Sequence, residues 1–168
     1  MGHILWVEPV FKEMIWGGNQ LKEKYGYAIP SDQTGECWAP SAHPNGDNKI
    51  KEGEFKGQTL SKVFDDHREL FGNIKDKQFP LLVKIIDACN DLSVQVHPND
   101  EYAALHENSL GKTECWYVLD CKEDTKMVMG HHAKTKEELV KAIENDDYDH
   151  LLNKFDIKKG DFFYIPSG

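Results

Sequence analysis

The chain has 168 residues, 39 % hydrophobic and 29 % charged, with a formal net charge of −9. That supplies apolar material for one ordinary domain, or for one and part of a second. The acidic balance excludes a general nucleic-acid binder, which needs a basic surface, and no run approaches the roughly 20 apolar residues of a membrane helix. A few local lysines still make a positive pocket for an anionic small molecule on an acidic protein.

The chain begins MGHILWVEPVFKEMIW, which has no basic start, apolar run or small-residue cleavage site. No signal peptide is expected, and the expected compartment is the cytoplasm. Turn signals are frequent from Gly17-Gly18 onward, and short apolar segments lie between them. Residues 60–71 (LSKVFDDHRELF) have apolar positions spaced for a short amphipathic helix. Residues 79–87 (FPLLVKIID) read as an apolar strand interrupted by one lysine, and 92–97 (LSVQVH) alternates like a strand. Further strands are expected over 114–119 (ECWYVL), 125–129 (TKMVM) and 161–165 (DFFYI).

Between the last two lies a helical segment over about 135–155. Thr135 and Glu138 have the spacing of a capping box, and Leu139, Ala142 and Ile143 follow at helical spacing. Asn145-Asp146-Asp147 interrupts, and 148–155 is expected to form a second short helix. Many short strands separated by turns make the chain mainly β, a sandwich or barrel, with this stretch as an insertion inside one domain. Cys37, Cys89, Cys115 and Cys121 include no Cys-x-x-Cys pair and no zinc-finger spacing, so reduced thiols are expected.

Side chains alternate along a strand. In 92–97, Leu92, Val94 and Val96 would face the core, and Ser93, Gln95 and His97 would line the opposite side. A row of hydroxyl, amide and imidazole suits a polar cavity better than open solvent. By the same rule Lys112, Glu114 and Trp116 share a face. A carboxylate entering an apolar layer is costly unless paired or bound to metal. Histidine, glutamate and an amide together form a donor set for a divalent transition metal. A hydrogen-bonded structural histidine and a solvated Lys-x-Glu turn are the plainer alternatives.

The final stretch, GDFFYIPSG, has the spacing glycine, five residues, proline, one residue, glycine. This spacing resembles the second signature of the cupin superfamily, in which a metal-binding histidine follows three positions later, which would be position 171. Around it stand IWGG (15–18), GECW (35–38) with SAHPNG (41–46), FPLLVK (79–84), SVQVHPND (93–100) and GKTECWY (111–117). In this order the chain resembles type I mannose-6-phosphate isomerases, most closely the short bacterial form.

The resemblance implies a cupin, or jelly-roll, β-sandwich incomplete at its C-terminus, with residues 1–168 as the N-terminal, zinc-binding part of a longer isomerase. It implies one Zn2+ per chain on Gln95, His97 and Glu114, and reversible interconversion of mannose 6-phosphate and fructose 6-phosphate through an enediol. Ser93, Lys112 and Trp16 match substrate-binding positions. The catalytic base is not identified: Glu36, His43 and residues beyond 168 are candidates. Pro40 departs from the family pattern and is expected to alter a loop. The expected partner is a sugar phosphate, with no nucleic acid and no membrane; the oligomeric state is open, with a monomer favoured. The alternative function is a non-catalytic cupin-like module binding metal or sugar phosphate. A cupin oxygenase is disfavoured, because its usual His-x-His is here Gln95-Val96-His97.

Overall fold

The computed structural model describes residues 4–167. The chain divides into two compact units, one ending at Leu92 and the other beginning at Ser93.

The first unit is built on an antiparallel sheet of β1 (Val10–Gly18), β2 (Thr34–Ser41) and β3 (Leu82–Ile86), with β2 in the centre. Its helices are α1 (Gln20–Glu23) and α2 (Leu60–Asp66), the latter followed by a 3-10 turn, Arg68–Phe71. The core gathers Ile50, Phe55, Leu60 and Val63. Phe64, Phe71 and Phe79 meet edge-to-face beside it, with centroids 5.1–5.9 Å apart, a geometry favoured by the ring quadrupoles. The helix expected over 60–71 therefore forms in two pieces. Thr59 caps its start by accepting from Lys62 N–H, and His67 leaves helical geometry after about two turns.

Sequence periodicity does not announce β1 or β2, and the register shows why. The β1–β2 ladder slips after Lys12 and again after Glu13, and the β2–β3 ladder slips between Trp38 and Ser41. Pro40 sits at that last slip, inside central strand β2 and after a cis peptide bond. The expectation that it alters a loop is thus corrected. Proline cannot donate to a ladder, so it is confined to edges or irregular points. Asn48, fully buried, takes over the lost pairing: its Oδ1 accepts from Ser41 N–H at 2.6 Å and its Nδ2 donates to the Trp38 carbonyl at 3.0 Å.

The second unit holds α3 (Asp100–His106), β4 (Glu114–Tyr117), β5 (Lys126–His131), α4 (Lys136–Glu144), α5 (Tyr148–Leu151), β6 (Leu152–Asp156) and β7 (Phe162–Ile165). Two antiparallel pairs form, β4 with β7 and β5 with β6. Phe163 of β7 meets Phe155 of β6 at 5.6 Å, which joins the pairs through aromatic contact. The helical insertion is present, and Thr135 accepts from Glu138 N–H at 3.1 Å as its cap. The second helix stops at Leu151, however, and 152–156 is strand. There Phe155 lies opposite Met127 and Lys154 opposite Val128. Pairing with β5 overrides the local helical spacing, as tertiary context commonly does.

A second correction concerns 92–97. Among the described residues it joins no strand ladder. Val94 and Val96, expected in the core, are 61 % and 82 % exposed. An alternating segment becomes a strand only when a neighbour completes its backbone hydrogen bonds. Among the described residues no helix is long and apolar enough to cross a membrane.

Candidate metal centre

The two motifs SVQVHPND and GKTE are joined by their loops. Lys112 N–H donates to the Pro98 carbonyl at 3.0 Å, and Gly111 N–H donates to Asp100 Oδ1 at 2.8 Å. Asn99 Oδ1 caps α3 through Tyr102 N–H. The approach is tight enough that a Cβ on Gly111 would lie 2.6 Å from the backbone of Asn99 and Asp100. Glycine at 111 is therefore what lets residues 97–100 close onto the start of β4. On the other side Glu114 lies opposite Ile165 of β7, and Ser167 N–H donates to Thr113 Oγ1 at 3.4 Å. The stretch ending in Pro-Ser-Gly thus runs past the same point. Gly168 lies outside the described residues, as does the expected histidine at 171.

This framework brings His97 Nε2 to 3.2 Å from Glu114 Oε1. The side chains keep only 13 % and 22 % exposure, so both are largely withdrawn from water. Trp116, two residues along β4 on the same face, donates its indole N–H to Glu114 Oε1 at 2.9 Å. Lys112 Nζ lies 3.3 Å from Oε2. Burial pushes the Glu114 carboxyl up, but the Trp116 hydrogen bond, the Lys112 ammonium and His97 together outweigh it and hold the group below its ordinary value. Glu114 is thus favoured as an anion, the form a metal requires. Gln95 is turned elsewhere: its Nε2 donates to Ser93 Oγ at 2.8 Å. Of the three expected ligands, two are in contact.

The pair fits a metal on geometric grounds. Nitrogen and oxygen ligands at about 2.0–2.1 Å in a tetrahedral zinc site stand roughly 3.3–3.4 Å from each other. His97 Nε2 and Glu114 Oε1 are near that separation. No group of three or more His, Cys, Asp or Glu gathers among the described residues.

The other sequence-predicted residues belong to the first unit. One face of its sheet carries Lys12 opposite Glu36, and Trp38 opposite Lys84. Glu36 Oε2 accepts from the Trp38 indole N–H at 2.5 Å and from Lys84 Nζ at 3.1 Å. Lys84 and Lys12 both lie over the Trp38 ring, 4.7 and 5.0 Å from its centroid. His43 meets the same ring edge-on at 5.5 Å, while its Nδ1 accepts from Asn45 N–H. Trp16 is buried, and a Cβ on Gly35 would lie 2.6 Å from its ring. Lys84 escaped the list of candidates. Its signal was present: a lone lysine within an apolar run needs a partner when it folds into a sheet, and Glu36 is that partner.

The family model for the phosphomannose isomerase type I catalytic domain matches residues 4–154. A Bacillus subtilis protein named probable mannose-6-phosphate isomerase is 59 % identical across 100 % of this chain, which spans 54 % of that protein. The mannose-6-phosphate isomerase of Streptococcus mutans is 54 % identical over 100 % of this chain and 53 % of its own length. A crystal structure of mannose 6-phosphate isomerase from Bacillus subtilis superposes with a TM-score of 0.96 at 50 % identity, covering 98 % of this chain and 52 % of that one. The chain therefore spans about half the length of these relatives and shares their cupin fold. On the family match over most of its length, the chain belongs to the type I phosphomannose isomerases.

Proposed function

We infer that the chain is the N-terminal, zinc-binding part of an isomerase that interconverts mannose 6-phosphate and fructose 6-phosphate. The observation that carries this reading is the convergence of His97 Nε2 and Glu114 Oε1 at 3.2 Å, on motifs of this family. His97 and Glu114 would hold the ion, with Gln95 joining them when its amide leaves Ser93. Bound there, zinc would supply Lewis acidity toward sugar oxygens and a fixed point for orienting them.

The reaction moves a proton between C1 and C2 through an enediol, so it needs a base beside the carbon-bound proton and a cation for the developing oxyanion. Lys112 is the group in this chain suited to a substrate phosphate or oxyanion. It is half exposed and forms an ion pair with Glu114. Ser93 offers a hydroxyl on the adjoining segment, and Trp16, in the first unit, is a further substrate-binding candidate from its family motif. Glu36 and His43 are the candidates within this chain for the base. The protein works in the cytoplasm on a small sugar phosphate, without nucleic-acid or membrane partners.

The test has two arms. Elemental analysis of the purified chain should find zinc, and a coupled assay with mannose 6-phosphate should find weak turnover or none. Turnover at the level of the full-length relatives would contradict the view that this chain is only part of the enzyme. Zinc retained unchanged after His97→Ala would remove the ligand assignment. A metal-loaded chain that binds mannose 6-phosphate, with a full-length counterpart that never converts it, would favour a non-catalytic binding module.

A further inference from the structure

Glu114 is held by two donors of different kinds, apart from His97. Lys112 reaches Oε2 on a flexible stem and keeps 47 % exposure, so it is free to move toward an arriving anion. Trp116 is carried by a strand, its backbone directly opposite Phe163 in the β4–β7 ladder. Its indole N–H is a donor only, and it points at Oε1, the same oxygen that faces His97 Nε2. A glutamate side chain has a soft terminal torsion. A strand-borne donor on one oxygen sets the plane of the carboxylate.

We propose that Trp116 is the positioning residue for the metal ligand Glu114: its indole N–H, carried two residues along the same strand face, keeps the carboxylate turned toward His97 so that a divalent cation meets an oriented pair. The proposal rests on the metal reading given above. Hydrogen-bond partners behind a metal ligand are commonly worth about 10- to 100-fold in affinity. In this chain the partner comes from the same strand as the ligand, two residues on, so the sequence Glu-x-Trp is itself the device.

The experiment is a zinc titration of the full chain against a competing chelator, with Co2+ as a second probe whose visible absorption reports ligand geometry. Trp116→Phe keeps an aromatic ring opposite Phe163 while removing the N–H along with one ring of the indole. It should weaken zinc binding about 10- to 100-fold, change the cobalt spectrum, and leave the far-ultraviolet circular dichroism intact. Phe163→Leu disturbs the packing and keeps the N–H. It should lower Tm while leaving zinc affinity unchanged. Unchanged affinity in Trp116→Phe overturns the proposal, as does a loss in Phe163→Leu equal to that in Trp116→Phe. Glu114→Gln separates this from the underlying reading. If it binds zinc as the unsubstituted chain does, the metal site itself falls. If it loses zinc while Trp116→Phe does not, only the positioning role falls.

Discussion

The two units treat their buried charges and their aromatic residues in opposite ways. In the first, Glu36 and Lys84 neutralise each other against Trp38, and a phenylalanine cluster lies beside a closed aliphatic core. In the second, Cys115, Tyr117, Phe162 and Tyr164 form one face of the β4–β7 pair, and the three aromatics are 61–63 % exposed. The opposite face of that pair carries Glu114 and Trp116. The first unit therefore draws its stability from packing. The second positions His97 and Glu114 through loop hydrogen bonds and the Trp116 indole N–H. Precision at a site does not require a large core, provided the donors behind each ligand are fixed.

This contrast can be broken most strongly in the first unit. Phe64→Ala removes a ring that is 1 % exposed, and should cost about 3–5 kcal/mol in denaturant unfolding. Of the four tryptophans, Trp6, Trp16 and Trp38 lie in this unit, so fluorescence follows it chiefly. A loss below 1 kcal/mol would mean that the aromatic cluster is not the structural centre. Lys84→Met leaves the Glu36 carboxylate with the Trp38 N–H alone. Lys84 keeps 24 % side-chain exposure, so the cost should be roughly 2–4 kcal/mol, somewhat less than for a fully buried pair. A Lys84→Met chain as stable as the original would show the pair to be neutral in energy.

The smallest effect belongs to the second unit and depends on pH. Glu114 has its folded pKa lowered, so its ionised form contributes stability that is complete above the unfolded value of about 4.3 and is lost as pH falls through the folded value. Glu114→Gln lacks that contribution. Its stability should therefore trail that of the unsubstituted chain at neutral pH and converge with it below about pH 4.3. A gap that stays constant across this range would sever Glu114 from its cationic neighbours.

The chemistry of this chain was easier to read in the sequence than its pairing. β4, β7 and the capped start of α4 declare themselves through local alternation or local hydrogen bonding, and all three form. So does the helical insertion, because Thr135 and Glu138 act within one turn. By contrast β1 and β2 slip register within their ladder, and β6 forms in a stretch whose local spacing is helical. β2 also carries Pro40, whose missing donor is compensated by Asn48, eight residues on and visible only in the fold. Residues 92–97 show the converse: perfect alternation, and no ladder among the described residues. At the site, residue type and family motif singled out His97 and Glu114, which the fold brings within 3.2 Å of each other. The roles of Trp116 and Lys84 did not, since both depend on which side chain lies across or along a strand at hydrogen-bonding distance.

The most direct test of the central claim, that His97 and Glu114 are neighbours on one metal ion, is X-ray absorption at the zinc edge of the metal-loaded chain. The account predicts a shell of nitrogen and oxygen only, at about 2.0–2.2 Å, with an imidazole signature that disappears in His97→Ala. A sulfur scatterer at about 2.3 Å, or an imidazole signature that survives His97→Ala, would contradict it.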